Sequence, residues 1–447
     1  MIAMSLVAFA LLGVLGAAVA SLGGLGRARR VEDWPLHFAL GASILALLGT
    51  AVVIAGIPLA LWPVYLLVAL AVAGALAVNR RRPGGDASGA GDPAPCVDTA
   101  TRAILGVAFL VWVAIVAACF QDRLWWDGWQ NWVFKARVLF AEGTLSPAFL
   151  DPGGAFTPAN LDYPLLQPLS DWLAFVHVGA PLSQAASLIG AAWTGVLALL
   201  AWSALRDRVD TRVAAAAAVG AAAFWPVAFF AIGGTADVVM AVALMGAAVE
   251  MERALRHRET RYVWRTAVFL ALGALAKNEG IALAVLGCVA GIGALAATGE
   301  RRPGRLLPLL LGPLAAAPWF LYTRSLGLAS GASGASAVAE HGDRLAMVAS
   351  ALAELFGSLG WMPVPLLAAA AVVSAIRRRD AALGGPWALL ALYFAAVCAT
   401  YVLTAGDVVG LILTSSMRVF GAMVPALVVL AALSVSPAPP VVDERVA

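Results

Sequence analysis

Long apolar runs with no polar stripe set the terms for this chain. Residues 6–22, 104–120, 213–232 and 306–322 consist almost wholly of apolar residues and glycine. A helix of about 17–25 such residues, rising about 1.5 Å per residue, matches the hydrocarbon core of a bilayer. A helix on a soluble domain would instead carry one apolar stripe and a polar face. Composition agrees: 62% of residues are hydrophobic and 12% charged, about half the charged fraction of a soluble domain. The net charge of +3 is too small to suggest a nucleic-acid partner. The expected fold is therefore all-α: a polytopic transmembrane helix bundle of about thirteen spans. They fall near 3–22, 36–56, 58–78, 103–120, 181–205, 213–232, 238–255, 265–277, 280–298, 306–322, 361–376, 387–403 and 419–433. The stretch 265–277 is short for a span and reads as a candidate broken or re-entrant helix.

Basic residues cluster in every second connection: Arg27/Arg29/Arg30, Arg80/Arg81/Arg82, Arg206/Arg208/Arg212, Arg253 to Arg265, Arg301/Arg302/Arg305 and Arg377/Arg378/Arg379. Cytoplasmic loops carry the Lys/Arg excess, so the N-terminus is expected outside and the tail inside. Ala18-Val19-Ala20 could pass for a signal-peptidase site. The basic residues follow that run instead of preceding it, which favours a retained first helix. Residues 80–101 are rich in Gly, Pro, Ala and Asp and read as a flexible cytoplasmic linker. The linker divides an N-terminal addition of three spans, 1–79, from a main transmembrane domain, 102–433, which a cytoplasmic tail, 434–447, follows. The four cysteines lie far apart with no CxxC, and the histidines do not cluster, so neither a disulfide framework nor a zinc site is expected.

The intervening loops should then lie outside. The longest, 121–180, opens with Trp125-Trp126-Asp127-Gly128-Trp129-Gln130-Asn131-Trp132-Val133-Phe134-Lys135-Ala136. At about 100° per residue, Trp125, Trp129, Trp132 and Ala136 share one face and Asp127, Asn131 and Lys135 the other. This pattern predicts an amphipathic surface helix with its tryptophans at headgroup level and its acid and amine toward water. An ordinary aromatic belt with solvated charges explains the same spacing. Farther on, Pro164 and Pro168 shape the start of a second surface helix, which Asp162 would cap. Asp237 opens a long span, where capping is again the plain reading. Lys277-Asn278-Glu279-Gly280 has the composition of a helix end, yet Lys277 and Glu279 stand near hydrocarbon, where ionisable groups are costly. Arg418, at the boundary of the last span, either snorkels to headgroups or binds a phosphate.

Taken together, these residues resemble the GT-C glycosyltransferases, in particular the bacterial members related to dolichyl-phosphate-mannose protein mannosyltransferases and lipid A aminoarabinose transferase. The pieces are Trp126-Asp127-Gly128-Trp129 with Trp132 and Lys135-Ala136, Asp162-Tyr163-Pro164-Leu165-Leu166-Gln167-Pro168, Ala236-Asp237, Lys277-Asn278-Glu279-Gly280 and Ser415-Ser416-Met417-Arg418, in that order over about 102–433. The family often carries two adjacent acids where this chain has Asp127-Gly128, which leaves open whether a metal or second-carboxylate role is kept. No cofactor is otherwise expected.

The resemblance implies sugar transfer, with inversion, from a polyprenyl-phosphate-linked donor to an envelope glycan, lipid or protein on the extracytoplasmic side of the cell membrane. By the same resemblance Asp127 is the candidate general base. Lys277 and Arg418 are candidates for the donor phosphate, to which both can supply charge-assisted hydrogen bonds. Asp162, Asp237, Glu279, Lys135 and Tyr163 are candidates for positioning the acceptor or the other groups. The rival reading is a polytopic transporter or flippase of lipid-linked saccharides. Transporters tend to place ionisable groups near the midplane, whereas the spans here read as nearly free of charge except at their ends.

Overall fold

The computed structural model describes residues 1–26, 31–81, 97–156, 159–328, 342–358, 361–378, 380–403 and 408–436. Arg27, Arg29 and Arg30, residues 82–96 of the expected linker and Arg379 lie outside the described residues. Helices account for the fold, with no strand among the described residues. The N-terminal part comprises α1 (Ile2–Gly23), α2 (Trp34–Ile54), α3 (Leu61–Arg81) and α4 (Thr99–Ala118). A π-helical turn, Gly128–Val133, leads into α5 (Phe134–Glu142), followed by α6 (Leu166–Val178). The central part holds α7 (Ser183–Leu205), α8 (Thr211–Ala223), α9 (Trp225–Ile232), α10 (Asp237–His257), α11 (Thr260–Ala276) and α12 (Asn278–Ala297). The rest is α13 (Pro303–Leu306), α14 (Leu311–Ser325), α15 (Gly342–Gly357), α16 (Pro363–Arg378), α17 (Ala381–Leu403), α18 (Val408–Gly421) and α19 (Val424–Val435).

Each expected span falls on helical residues, but 238–255, 265–277 and 361–376 are not among the helices long and apolar enough to cross a membrane. Among the described residues nine helices are long and apolar enough to cross a membrane, and α8 with α9 makes a tenth, bent by 47°. Pro226 stands in the first turn of α9, where it cannot donate to the preceding helix, which accounts for the break. The expected broken helix at 265–277 is instead the continuous α11. α10 and α11 lie at the centre of the bundle and are buried along most of their length. A helix so enclosed meets protein instead of lipid, so it tolerates charges that find partners. Glu250, fully buried, lies about two turns inside the end of α10, deeper than the reading of nearly uncharged spans allowed. It is paired: Arg265 Nε lies 2.9 Å from Glu250, and Arg265 Nη1 donates to Asp33 at 2.7 Å. Arg256 continues the network to Glu252 and Asp380. Asp33 belongs to the start of α2, so the pairing fastens the N-terminal spans to the core. α1 and α2 also pack on α6, α7 and α11, and their side chains join the same hydrophobic core.

The ion pairs sort by the ends of the bundle. Those of Arg206, Arg208, Arg212, Arg253, Arg256, Arg261, Arg265 and Arg305 connect the segments holding the basic clusters. The remaining pairs involve Asp127, Asp237, Lys277, Glu279 and Arg418. Among the described residues no pair joins one set to the other.

Candidate active site

At the end of the bundle away from Arg265, segments distant in sequence converge. α11 and α12 meet in a tight reversal with Lys277 extended between them (φ −155°, ψ 157°). Gly280 makes that reversal possible: a Cβ there would stand 1.8 Å from the Gly273 carbonyl oxygen. The turn drives Lys277 inward, where it is almost fully buried. Its Nζ donates to Asp237 Oδ1 at 2.9 Å and lies 3.4 Å from Glu279 Oε1. Asp237 is the first residue of α10 and caps nothing; Ala236 holds the cap position. On its other side Asp237 Oδ2 faces Arg418 Nε at 3.7 Å. Arg418, in the last turn of α18, also forms an ion pair with Asp127. Asp127, Arg418, Asp237, Lys277 and Glu279 thus form one chain of alternating charge. Asp237 Oδ2, Arg418 Nε and Glu279 Oε2 are buried without a hydrogen-bond partner. Such atoms carry a desolvation cost that a polar ligand can relieve.

Asp127 reaches this group through an unusually close backbone approach. A Cβ on Gly128 would lie 1.9 Å from the Gly233 carbonyl oxygen, and Trp125 N–H donates to that same oxygen at 3.1 Å. The position where the family this chain resembles often holds a second acid therefore leaves no room for a side chain here. Gly128→Ala is expected to cost about 1–3 kcal/mol, as overpacking does, and to pull Asp127 away from Arg418. Thermal unfolding of the solubilised protein, alongside activity, checks both effects.

The segment opening residues 121–180 departs from the amphipathic surface helix expected of it. The i→i+5 bonding of the π-helical turn opens the helix, and the face assigned to water turns inward. Asn131 and Lys135 are buried, as is Trp132, while Trp126 and Trp129 remain exposed. Lys135 Nζ donates to the Asn160 carbonyl at 2.6 Å, and Asn160 Nδ2 donates to Asn131 Oδ1 at 3.0 Å. The Tyr163 ring lies 5.2 Å from Trp132 and 5.9 Å from the Lys135 ammonium. Glu279, followed by burial, pushes the Tyr163 phenol above its ordinary range. α6 is likewise no surface helix, being buried on nearly every side. Asp162 does not cap it. Its Oδ2 accepts from Asn278 Nδ2 at 2.7 Å and its carbonyl from Trp319 Nε1 at 2.9 Å. Asp162 and Tyr163 are thereby held against the Lys277 turn.

Burial pushes the Lys135 ammonium down from 10.5 to about 7. Between those values the unfolded chain binds a proton that the folded one does not, so stability rises with pH through that window, by up to about 1.4 kcal/mol per unit. Below about pH 7 both states are charged and the effect vanishes. Thermal unfolding at pH 7 to 9 should therefore show the wild type gaining on Lys135→Met as pH increases.

Sequence reasoning gave no role to Asn278, Asn160 or Trp319, which fix Asp162 and Lys135. Asn278 lies inside a quoted motif, whereas the other two carried no signal. It also passed over Asp171 on α6, a sealed acid whose partner is Gln167 Nε2 at 2.9 Å and whose carboxyl burial pushes well up. Among the described residues no three of His, Cys, Asp and Glu come together to hold a metal ion, and Asp127, Asp237 and Glu279 all face fixed cations.

The sequence model of the dolichyl-phosphate-mannose-protein mannosyltransferase family matches residues 164–321. That segment carries Asp237, Lys277 and Glu279. No curated protein matches the chain. Helix bundle and family match together support a multi-pass membrane glycosyltransferase of the GT-C type.

Proposed function

We propose that this protein moves a sugar from a polyprenyl-phosphate donor to an acceptor on the extracytoplasmic side of the cell membrane, with inversion. The observation that carries the reading is the charge chain Asp127–Arg418–Asp237–Lys277–Glu279. It gathers one end of the π-helical turn, α10, α12 and α18 around two cations and three acids. Arg418 and Lys277 hold the donor phosphate, and the unpartnered Arg418 Nε is a donor that phosphate can take. An acceptor oxygen attacks the anomeric carbon as the bond from that carbon to the phosphate oxygen breaks. The acceptor proton passes to Asp127, and the electron pair leaves with the polyprenyl phosphate. Charge-assisted hydrogen bonds aimed at the departing oxygens lower the barrier. Asp127, ion-paired with Arg418 before the donor arrives, becomes a better base once the phosphate draws Arg418 away. Asp162, Asp237, Glu279, Lys135 and Tyr163 position these groups.

The assay is release of radiolabelled sugar from donor lipid in vesicles containing the purified protein. Sidedness is tested with single cysteines at Ser146 and Ser88 in a cysteine-free background, exposed to an impermeant thiol reagent on intact cells. Labelling at Ser146 alone is expected; labelling at Ser88 alone overturns the orientation and the reading built on it.

A further inference from the structure

Beside the charge chain, a groove of about 440 Å³ opens between α12, α14 and α17. Its polar end holds Asp162, Asn278 and Arg324, and its walls include Val285, Phe320 and Thr323. The walls face outward: Val285 is 46% and Phe320 43% exposed. In a membrane those surfaces meet lipid, so the groove opens sideways into the bilayer. From Asn278 to Leu286 it follows α12 for about 12 Å, well into one leaflet of a core about 30 Å thick.

The charges at its mouth are of a different kind from those of the donor site. Lys277 is buried and Arg418 largely so, and both are paired with acids. Arg324 is exposed, lies over the Phe320 ring at 5.1 Å and has no carboxylate partner among the described residues. Neither proposed phosphate cation lines the groove, whereas Asp162 does. Asp127 stands on another flank, where Trp126, Trp129, Trp225 and Phe229 expose an aromatic surface on which a polyprenyl chain can lie. α10, whose first residue Asp237 links Arg418 to Lys277, packs on both α9 and α12.

Resting on the reading above, we propose that the acceptor is a membrane lipid bearing negative charge. It enters sideways through the α12–α14 groove, its anionic group at Arg324 and its hydroxyl-bearing end directed past Asp162 and Asn278 toward the charge chain that holds Asp127. An exposed guanidinium stacked on an aromatic ring suits a phosphate or carboxylate at the interface, and apolar walls open to lipid suit an acyl or isoprenoid chain. A water-soluble glycan or a protein loop would need neither.

The test supplies radiolabelled donor to the purified protein in vesicles containing a lipid extract of the host membrane. Parallel vesicles contain the water-soluble and protein fractions instead. Label is expected in a lipid-phase product retained by anion exchange. Arg324→Gln should raise the half-saturating acceptor concentration roughly tenfold, the loss of one charge-assisted contact, with the donor KM unchanged. Val285→Trp should block the groove and lower transfer to lipid. Arg324→Gln changes an exposed residue and keeps the test decisive if the tryptophan variant does not fold. Label entering only glycan or protein overturns the proposal and leaves the transferase reading intact. A shift in donor KM instead of acceptor KM also overturns it, since the groove would then receive the donor. If no label leaves the donor in any fraction, the transferase reading falls and the proposal with it.

Discussion

Asp127→Asn is expected to lower sugar transfer by about 10²- to 10⁴-fold, the usual cost of losing a general base, while the protein stays folded. Asparagine keeps the shape of the side chain and still accepts a hydrogen bond from Arg418, but it cannot take a proton from an acceptor hydroxyl. The site is only partly enclosed, with the Asp127 side chain 24% exposed, so loss of its charge leaves no sealed, unpaired cation. Transfer in vesicles and thermal unfolding of the same preparation separate chemistry from folding. Asp162→Asn is the comparison. It keeps an oxygen able to accept from Asn278 and should cost well under tenfold if Asp162 acts only by position. Should Asp127→Asn transfer sugar at near-normal rate while Asp237→Asn is inactive, the base is Asp237. The transferase reading would survive that result.

Much of the fold was legible because the bilayer imposes one rule on every span. The long apolar runs found the helices, and the basic clusters divided the connections into two sets. The ion pairs respect that division, Arg265 with Asp33 and Glu250 at one end, Lys277 with Asp237 at the other. The candidate site was legible as a set of residue types on one side of the membrane, but its geometry was not. A period of 100° per residue presumes an α-helix with one face in water. Residues 128–133 instead form a π-helical turn pressed against Gly233, so Asn131 and Lys135 point into protein. The capping role given to Asp162 failed for a related reason. Local spacing foresees partners within a few residues, whereas the partners of Asp162 are Asn278 and Trp319. The pairing of Arg418 with Asp127 is likewise set by packing between helices, which no local pattern encodes.

The largest effect on stability is expected from Asp237→Ala, which should destabilise the protein by about 3 kcal/mol. Removing one partner of a buried pair leaves an uncompensated charge and typically costs about 3–5 kcal/mol. Here Lys277 is almost fully buried, and Asp237 is its nearest acid at 2.9 Å. Glu279, 3.4 Å from the same ammonium, remains as a weaker partner, which places the cost at the lower end. Arg418 loses one of its two acids as well but keeps Asp127. The double variant Asp237→Ala/Lys277→Met removes the stranded charge and fills its space with an apolar side chain, so it should recover most of the lost stability. It should not recover transfer, because the proposed phosphate cation is gone. Thermal unfolding of the single and double variants, read as a double-mutant cycle, gives the coupling between the two residues. Transfer assays on the same proteins show whether their pairing serves the fold or the chemistry. A single variant as stable as wild type would mean that Lys277 finds another partner or loses its proton, and the charge chain would then contribute little to holding this end of the bundle together.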